Sequence, residues 1–247
     1  MSGNKRITLD LCLPVYNEAA ILASNVQRIV DFISSKQLAV DCRLIILVNG
    51  STDQSADIAC DLSHRWPDLV SWHNYAAAGK SRTLLAYAAT SSADWWGFMD
   101  IDLAVDLVDL PKMCQAIAED SADLLIASRF LPGASRSRKL IREIVSVGYN
   151  FLARRLLGTT VKDHQCGCKF IRRSWWQMIE ARIGESNWFL DTELIAWTCK
   201  LGGRVVEIPV HWVDNRYQAR PTRIKLLKDI AGFIVSLWRL RCRLKFR

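Results

Sequence analysis

Trp95-Trp96-Gly97-Phe98-Met99-Asp100-Ile101-Asp102 is the stretch on which the reading of this chain turns. It is a short apolar strand that ends in two carboxylates spaced i, i+2. Side chains of an extended strand alternate faces, so positions 100 and 102 project the same way. Two hard oxygen ligands side by side suit Mg2+ or Mn2+ in a site that leaves room for substrate phosphates. A D-x-D triplet is short and recurs on solvated loops, so its weight comes from its surroundings. Trp95 and Trp96 read as core and neighbouring surface rather than as sugar platforms.

Around this strand a strand–turn–helix pattern repeats. Strands are expected at Ile7–Leu13, Arg43–Val48, Leu69–His73, Trp95–Met99 and Leu124–Ser128. Helices are expected at Ala19–Ser35, about Asp53 to Arg65, about Ser81 to Ala89 and Asp109–Asp120. Such alternation implies βαβ crossovers, hence an α/β fold with a mostly parallel central sheet flanked by helices. Ligands of such sheets bind at the carboxyl ends of the strands. Pro14–Glu18, Asn49–Asp53, Gly79-Lys80 and Asp100–Asp102 all lie there. The second half is less regular: a long helix at Leu140–Leu157, strands at Lys169–Ile171 and Val205–Ile208, and a helix at Asp191–Leu201.

The 247 residues, half of them hydrophobic, suffice for a packed core. The net charge of +8 is unevenly placed. Residues 220–247 carry nine lysines and arginines against Asp229 alone, which equals the charge of the whole chain, so residues 1–219 are neutral. A neutral body with a basic tail differs from a uniformly basic nucleic-acid binder, and no nucleic-acid partner is expected. The eight cysteines include no C-x-x-C pair and read as buried free thiols in a reducing compartment. No signal peptide or bilayer-spanning run is expected; Ile230–Trp238 is too short. His164 and His211 read as satisfied by local hydrogen bonds rather than as metal ligands.

Pro14-Val15-Tyr16-Asn17-Glu18, Asn49-Gly50-Ser51-Thr52-Asp53, Gly79-Lys80 and Asp100-Ile101-Asp102 together resemble the nucleotide-sugar domain of family 2 glycosyltransferases, inverting enzymes with a Rossmann-like GT-A fold. Ala127–Phe130, Asp163–Phe170, Trp188–Leu194 and Glu207–Trp212 narrow the resemblance to the polyprenyl-phosphate glycosyltransferases, the group of the dolichyl-phosphate β-glucosyltransferases and mannose synthases. It covers about residues 7–215. The resemblance implies that Pro14, Tyr16 and Glu18 line a nucleoside pocket and that Asn49, Ser51 and Asp53 close over base and ribose. Lys80, Asp100, Ile101 and Asp102 would meet the donor diphosphate, with the cation on Asp100 and Asp102. Three positions depart from the family pattern. Val48 stands where an acidic residue is usual, Ser81 replaces a glycine, and Ala104 stands where mannose synthases often carry a third, glutamine ligand. Plainer readings stand beside these: Asp53 as a helix cap and Lys80 as a solvated lysine.

Arg129 ends a strand at the same carboxyl edge, and Arg142 and Ser146, i, i+4, share a helix face. In the resembling family these positions bind the phosphate of a lipid acceptor, a task that suits guanidinium groups. Arg142 paired with a neighbouring carboxylate is the plainer alternative. A phosphate monoester is mostly dianionic near neutral pH and needs no general base. Asp191 sits where family 2 enzymes place the base for a hydroxyl acceptor, so it is either a positioning residue or that base.

As a helix, the tail sets Lys225, Lys228, Ser236, Arg239 and Arg243 on one face and Leu227, Ile230, Ile234, Leu237 and Trp238 on the opposite one. That is the pattern of a helix lying in a membrane interface; packing on the body or a subunit interface are the alternatives. The expectation is therefore a catalytic domain over residues 1–219, with a donor half at about 7–128 and an acceptor half at about 129–219. A basic amphipathic segment follows at 220–247. The expected activity moves a hexose, glucose or mannose, from a UDP- or GDP-sugar to a polyprenyl or dolichyl phosphate. It is metal-dependent and peripheral on the cytoplasmic face of a membrane. The rivals are a family 2 transferase acting on a glycan or small-molecule hydroxyl, and a non-catalytic nucleotide-sugar-binding module.

Overall fold

The computed structural model describes residues 6–137, 140–184, 189–213 and 226–245. The first half alternates as expected: β1 (Thr8–Val15), α1 (Ala19–Ser35), β2 (Asp41–Asn49), α2 (Ser55–Arg65), β3 (Val70–Tyr75), α3 (Lys80–Ala88), β4 (Trp95–Met99), α4 (Leu110–Ala118) and β5 (Leu124–Ser128). After them come β6 (Ser135–Ser137), α5 (Leu140–Leu157), β7 (Cys168–Arg172), α6 (Arg173–Ile179), α7 (Leu190–Lys200), β8 (Val205–Pro209), β9 (His211–Val213) and α8 (Leu226–Lys245). The short elements β6, β9 and α6 are not foreseen from the sequence, because three to seven residues are too few to show a period.

Seven strands form one sheet in the order β3-β2-β1-β4-β7-β5-β8. All pairings are parallel except those of β7, which runs antiparallel between β4 and β5. Helices cover both faces, which is why β4 and β5 are buried along their whole length and read as unbroken apolar runs. On one face α1, α2 and α4 bring Leu22, Val26, Leu62 and Ile117 onto Leu11, Leu13, Ile46 and Phe170. On the other, residues of α3, α5, α6, α7 and α8, among them Leu84, Ala153, Trp176, Leu194 and Leu237, pack on Ile45, Leu47, Trp96 and Phe98. Trp95 and Trp96 point to opposite faces, and both are buried. The surface position expected for one of them is lost because no face of this sheet is open. Trp96 meets Trp176 edge to face, with ring centroids 5.1 Å apart. All eight cysteines are free, and five are buried.

A buried polar junction ties α5 to the segment that enters β7. Asn150 Oδ1 accepts from His164 N at 2.8 Å and lies 3.2 Å from His164 Nδ1, while Thr159 Oγ1 lies 2.9 Å from Nε2. The imidazole is held neutral: burial, then the nearby Lys169 ammonium, push its pKa down to about 4. Its folded pKa is below the unfolded one, so the unfolded state takes up the proton first on acidification. Stability is complete above about pH 6.5 and falls as pH drops towards 4, by about 3 kcal/mol from this group. Urea unfolding between pH 7 and 4.5 is expected to show this slope, and His164→Gln to flatten it. An unchanged slope in the variant would reject the assignment.

Candidate active site

The carboxyl edge of β1, β2, β3 and β4 is closed by turns that hold one another. Asn49, 3% exposed at the end of β2, donates to Val15 O at 2.8 Å, and its Oδ1 accepts from Gly79 N at 3.3 Å. One side chain thus joins the exit of β1 to the entrance of α3. Gly50 has φ +65°, and a Cβ there would lie 2.6 Å from Ala78 N, so only glycine passes this crossing. Ser51 Oγ accepts from Asn17 N at 3.0 Å. Asp53 accepts from Ala19 N at 3.1 Å and Ser55 N at 3.0 Å, so it caps the starts of both α1 and α2. Burial alone pushes its carboxyl up, but these hydrogen bonds outweigh burial and hold it below the usual range. Pro14, Tyr16 and Glu18 line the adjoining turn, partly exposed. Of the residues expected over base and ribose, Asn49 is spent on the scaffold, while Ser51 and Asp53 fix the turns and remain at the surface.

The charged centre lies where β4 ends. Lys80 Nζ, 18% exposed, sits 2.5 Å from Asp100 Oδ1 and 4.8 Å from the centre of the Phe98 ring. Burial lowers the pKa of this ammonium, but Asp100, Asp191 and Asp102 more than offset it and raise it overall. Lys80 is therefore an organised cation among three carboxylates, not a solvated lysine. Ile101 is buried, and its carbonyl accepts from Asn25 Nδ2 at 2.8 Å. Asp102 Oδ1 accepts from Ala104 N at 3.1 Å, a bond made possible by Leu103 in the left-handed region at φ +51°.

Behind Asp100 stands Gly167. Its carbonyl accepts from Asp100 N at 3.0 Å, and a Cβ on it would lie 1.9 Å from Asp100 Oδ2. The Cys166-Gly167-Cys168 spacing that suits no zinc knuckle has its reason here: two buried thiols enter the core around a glycine that leaves room for the carboxylate. Lys169, 1% exposed, follows on β7. Its Nζ donates to Cys166 O at 2.7 Å and to Asp191 Oδ1 at 2.6 Å. Asp191 stands in the first turn of α7, where the helix dipole favours a carboxylate. Among the described residues no group of three or more His, Cys, Asp or Glu side chains is arranged to hold a metal. A two-carboxylate donor set at a phosphate-binding edge nevertheless fits a hard cation that keeps positions for phosphate oxygens and water.

On the other side, β5 ends at Ser128. Arg129, 5% exposed, is gripped by Asp163 through Nε at 2.7 Å and Nη2 at 2.8 Å, and its backbone N–H also donates to Asp163. Burial lowers the guanidinium pKa and raises the carboxyl pKa. Their attraction reverses both, so both groups stay charged. Asp163 N and Lys162 N donate to Glu207 on β8. Arg129 is thus framed before any ligand arrives. Ser146 is buried on α5; the Arg142 side chain lies outside the described residues. Tyr149 on α5 reaches Thr192 on α7 at 2.7 Å.

Asp163, Gly167, Lys169 and Glu207 are the residues that sequence reasoning left without a role. Lys169 and Glu207 carried a signal, a charge inside an otherwise apolar strand; Asp163 and Gly167 carried none of that kind. The tail also differs from its expectation. Leu237, Leu240 and Leu244 are buried against the body, so Leu237 parts from Ile234 and Trp238, which stay exposed. Arg243 pairs with the buried Glu193 and is no part of a free basic face, and Arg241 donates to Leu156 O at 2.8 Å. Arg239 is exposed; Lys225 and the side chains of Leu227, Lys228 and Ile230 lie outside the described residues. Among the described residues no helix is long and apolar enough to cross a membrane.

Known proteins resemble this chain in sequence and in fold. The family model for glycosyl transferase family 2 matches residues 10–178. Glycosyltransferase AglD of Haloferax volcanii is 27% identical over 96% of this chain, which spans 38% of that protein's length. The undecaprenyl-phosphate mannosyltransferase of Micrococcus luteus is 24% identical over 82% of each chain. The dolichyl-phosphate beta-glucosyltransferase of Saccharomyces cerevisiae is 23% identical over 96% of this chain and 78% of its own. Among solved structures, glucosyl-3-phosphoglycerate synthase from Mycobacterium tuberculosis in complex with UDP aligns at TM-score 0.66 and 20% identity, covering 98% of this chain and 81% of that one. The same synthase is described in complex with Mn2+, UDP and glucosyl-3-phosphoglycerate. The fold is the Rossmann-like GT-A fold that the motifs implied, and by a family match over most of its length the chain belongs to glycosyl transferase family 2.

Proposed function

We propose that this chain is an inverting, nucleotide-sugar-dependent hexosyltransferase whose acceptor is a polyprenyl phosphate. The observation that carries the reading is the charged centre: Asp100 and Asp102 beside Lys80, with Asp191 held by the buried Lys169. Pro14, Tyr16, Glu18, Ser51 and Asp53 border the nucleoside of a UDP- or GDP-hexose, glucose or mannose, and Asn49 fixes their turns. An acceptor phosphate oxygen attacks C1 of the sugar from the face opposite the diphosphate. The new C1–O bond forms as the bond to the diphosphate breaks, so the anomeric configuration inverts and the nucleoside diphosphate leaves. Lys80 stands where negative charge grows on the leaving group. Asp100 and Asp102 are the residues to hold Mg2+ or Mn2+, which when bound neutralises that same charge.

A phosphate acceptor arrives ionised, so no residue need take its proton. Asp191, with one oxygen already on the Lys169 ammonium, is accordingly read as orienting substrate rather than as a base. Arg142 and Ser146 receive the acceptor phosphate, and Arg129, clamped by Asp163, shapes that mouth. Residues 1–219 form the catalytic unit in this reading. The segment 220–247 brings it to the anionic cytoplasmic face of a membrane, in keeping with the lipid acceptors in the names of the relatives from Micrococcus luteus and Saccharomyces cerevisiae.

Transfer of radiolabelled sugar from a panel of nucleotide sugars to a short polyprenyl phosphate, read in the lipid extract, tests the reading directly. Label that goes only to glycan or small-molecule hydroxyls would replace it with the hydroxyl-acceptor rival. Asp102→Asn is expected to keep its thermal midpoint and lose turnover by about 100-fold or more, since an amide is a poorer ligand for a hard cation. Undiminished turnover, or full activity in excess chelator, would contradict metal-assisted departure. Gly167→Ala must displace the Asp100 carboxylate, and a displacement on the order of 1 Å at a reacting centre costs about 100-fold in kcat; wild-type kcat in this variant would show that Asp100 is not held from behind. Arg142→Ala should raise the acceptor KM about tenfold, the loss of one charge-assisted contact, with donor affinity unchanged. Equal weakening of both substrates would move Arg142 out of the acceptor site.

A further inference from the structure

The loop after Asp102 is part of a small ribbon. Ala104, whose N–H holds the Asp102 carboxylate, gives its own carbonyl to Val213 N at 2.9 Å. Asp106 N donates to His211 O at 2.9 Å, and Val105 forms an antiparallel bridge with Trp212. On its other edge β9 pairs in parallel with β6, Trp212 opposite Arg136. Two further bonds fix the ends of β9. His211 N donates to the buried Asp109 carboxylate at 2.6 Å, and Val210 N donates to Ser128 O at 3.2 Å, one residue before Arg129. A single three-residue strand thus lies between the donor-side carboxylates and the acceptor-side guanidinium.

Within β9 only Trp212 points inward: it is 6% exposed, between exposed His211 and Val213. Arg129 Cζ lies over its ring, 5.5 Å from the centre. Asp163 grips the guanidinium at its edge, through Nε and Nη2. An edge grip alone leaves a planar group able to tip about the axis of the pair. An aromatic ring on its face opposes that tipping, and tryptophan offers the strongest such face. We propose that Trp212 is a positioning residue for the transfer. Its backbone is joined to the loop that carries Asp102, its ring supports Arg129, and it thereby sets the separation of the two half-sites. This rests on the phosphate-acceptor reading above and adds to it a residue that acts through others. The chemistry needs such a residue: the attacking oxygen must be held close to C1 and in line with the leaving diphosphate, and small errors between two well-formed sites cost rate rather than affinity.

The test compares Trp212→Leu, which removes the ring and leaves the backbone bonds, with Trp212→Phe, which keeps a smaller ring. Rates are measured with Mn2+, a nucleotide sugar and a water-soluble short-chain polyprenyl phosphate. They are taken per folded molecule below the thermal midpoint, because a buried truncation also lowers stability. Trp212→Leu is expected to lower kcat by about tenfold or more, and Trp212→Phe to recover it to within about threefold of the parent. Binding of UDP or GDP with Mn2+, measured by calorimetry without acceptor, should stay within about twofold in both variants. The double variant Trp212→Leu/Arg129→Lys should be no slower than the slower of its two single variants, since both changes release the same guanidinium. If Trp212→Leu does not fold, Trp212→Met fills more of the space and still lacks a ring. Parental kcat in the ringless variant would overturn the proposal. So would a phenylalanine variant no faster than it, or fully multiplicative losses in the double variant. Equal loss of nucleotide binding would assign the ring to the donor loop instead. Absence of product from the parent chain would reject the transfer reading itself, and so is distinct from product made equally well by parent and variant, which rejects this inference alone.

Discussion

The close passage of β4 and β7 is the constraint on which the site depends. A Cβ at Gly97 would lie 2.1 Å from Lys169 O and 2.2 Å from Phe170 Cδ1, so β7 can run antiparallel through the middle of the sheet only against a glycine. That passage sets two groups at the carboxyl edge at once. Gly167, just before β7, backs the Asp100 carboxylate, and Lys169, its second residue, lies under Asp191. The two lysine–carboxylate pairs, Lys80–Asp100 from the start of α3 and the end of β4 and Lys169–Asp191 from β7 and α7, meet where β4 and β7 are paired. Displacing β7 would misplace both.

Lys169 shows why such a site is costly to build and hard to vary. An ammonium with 1% exposure in an apolar layer loses its hydration, a penalty of several kcal/mol, and only well-placed partners offset it. Asp191 and the Cys166 carbonyl are those partners. The same logic holds for Arg129 and Asp163, where removal of one member would leave the other buried and unpaired at a cost of about 3–5 kcal/mol. Both pairs are anchored in the segment 163–169. His164 in the same segment is neutral for the same reason: no partner there offsets the cost of burying its charge. One short segment thus holds two compensated charges and one suppressed charge, which is how it can be rigid without being apolar.

Much of the fold was legible in the sequence. α1, β4, β5 and α5 begin and end where periodicity and turn residues place them, because a sheet covered on both faces writes its strands as continuous apolar runs. Asp53 reads as a helix cap from its position, and it caps two helices. What could not be read was the partner of each charge. Nothing local in Asp163-His164-Gln165-Cys166-Gly167-Cys168-Lys169 says that Asp163 meets an arginine 34 residues earlier or that Lys169 meets a carboxylate 22 residues later. Those pairings are set by sheet order, and the order β4-β7-β5 places a late strand inside an early half. Trp96 failed as a surface residue for a related reason: the helices that cover it, α6 among them, come from the second half.

The tail shows that charge counted along a chain is not charge available at a surface. Residues 220–247 hold the whole net charge, yet Arg243 neutralises Glu193, which also accepts from Gly184 N, and Arg241 ties α8 to the end of α5. Arg243 holds α8 onto α7, the helix that carries Asp191 two residues before Glu193, and Arg241 holds it onto α5. The apolar side chains of α8 divide in the same way, with Leu237, Leu240 and Leu244 buried inward and Ile234, Val235 and Trp238 exposed. α8 is thus a structural element bound to α7 on one side and open on the other. The bound side reaches α7 through the Arg243–Glu193 ion pair, through Arg243 over the Trp197 ring and through the buried leucines of α8. Charge along a segment therefore divides as its apolar residues do: what faces the body is consumed in holding the helix, and only the remainder is presented outward.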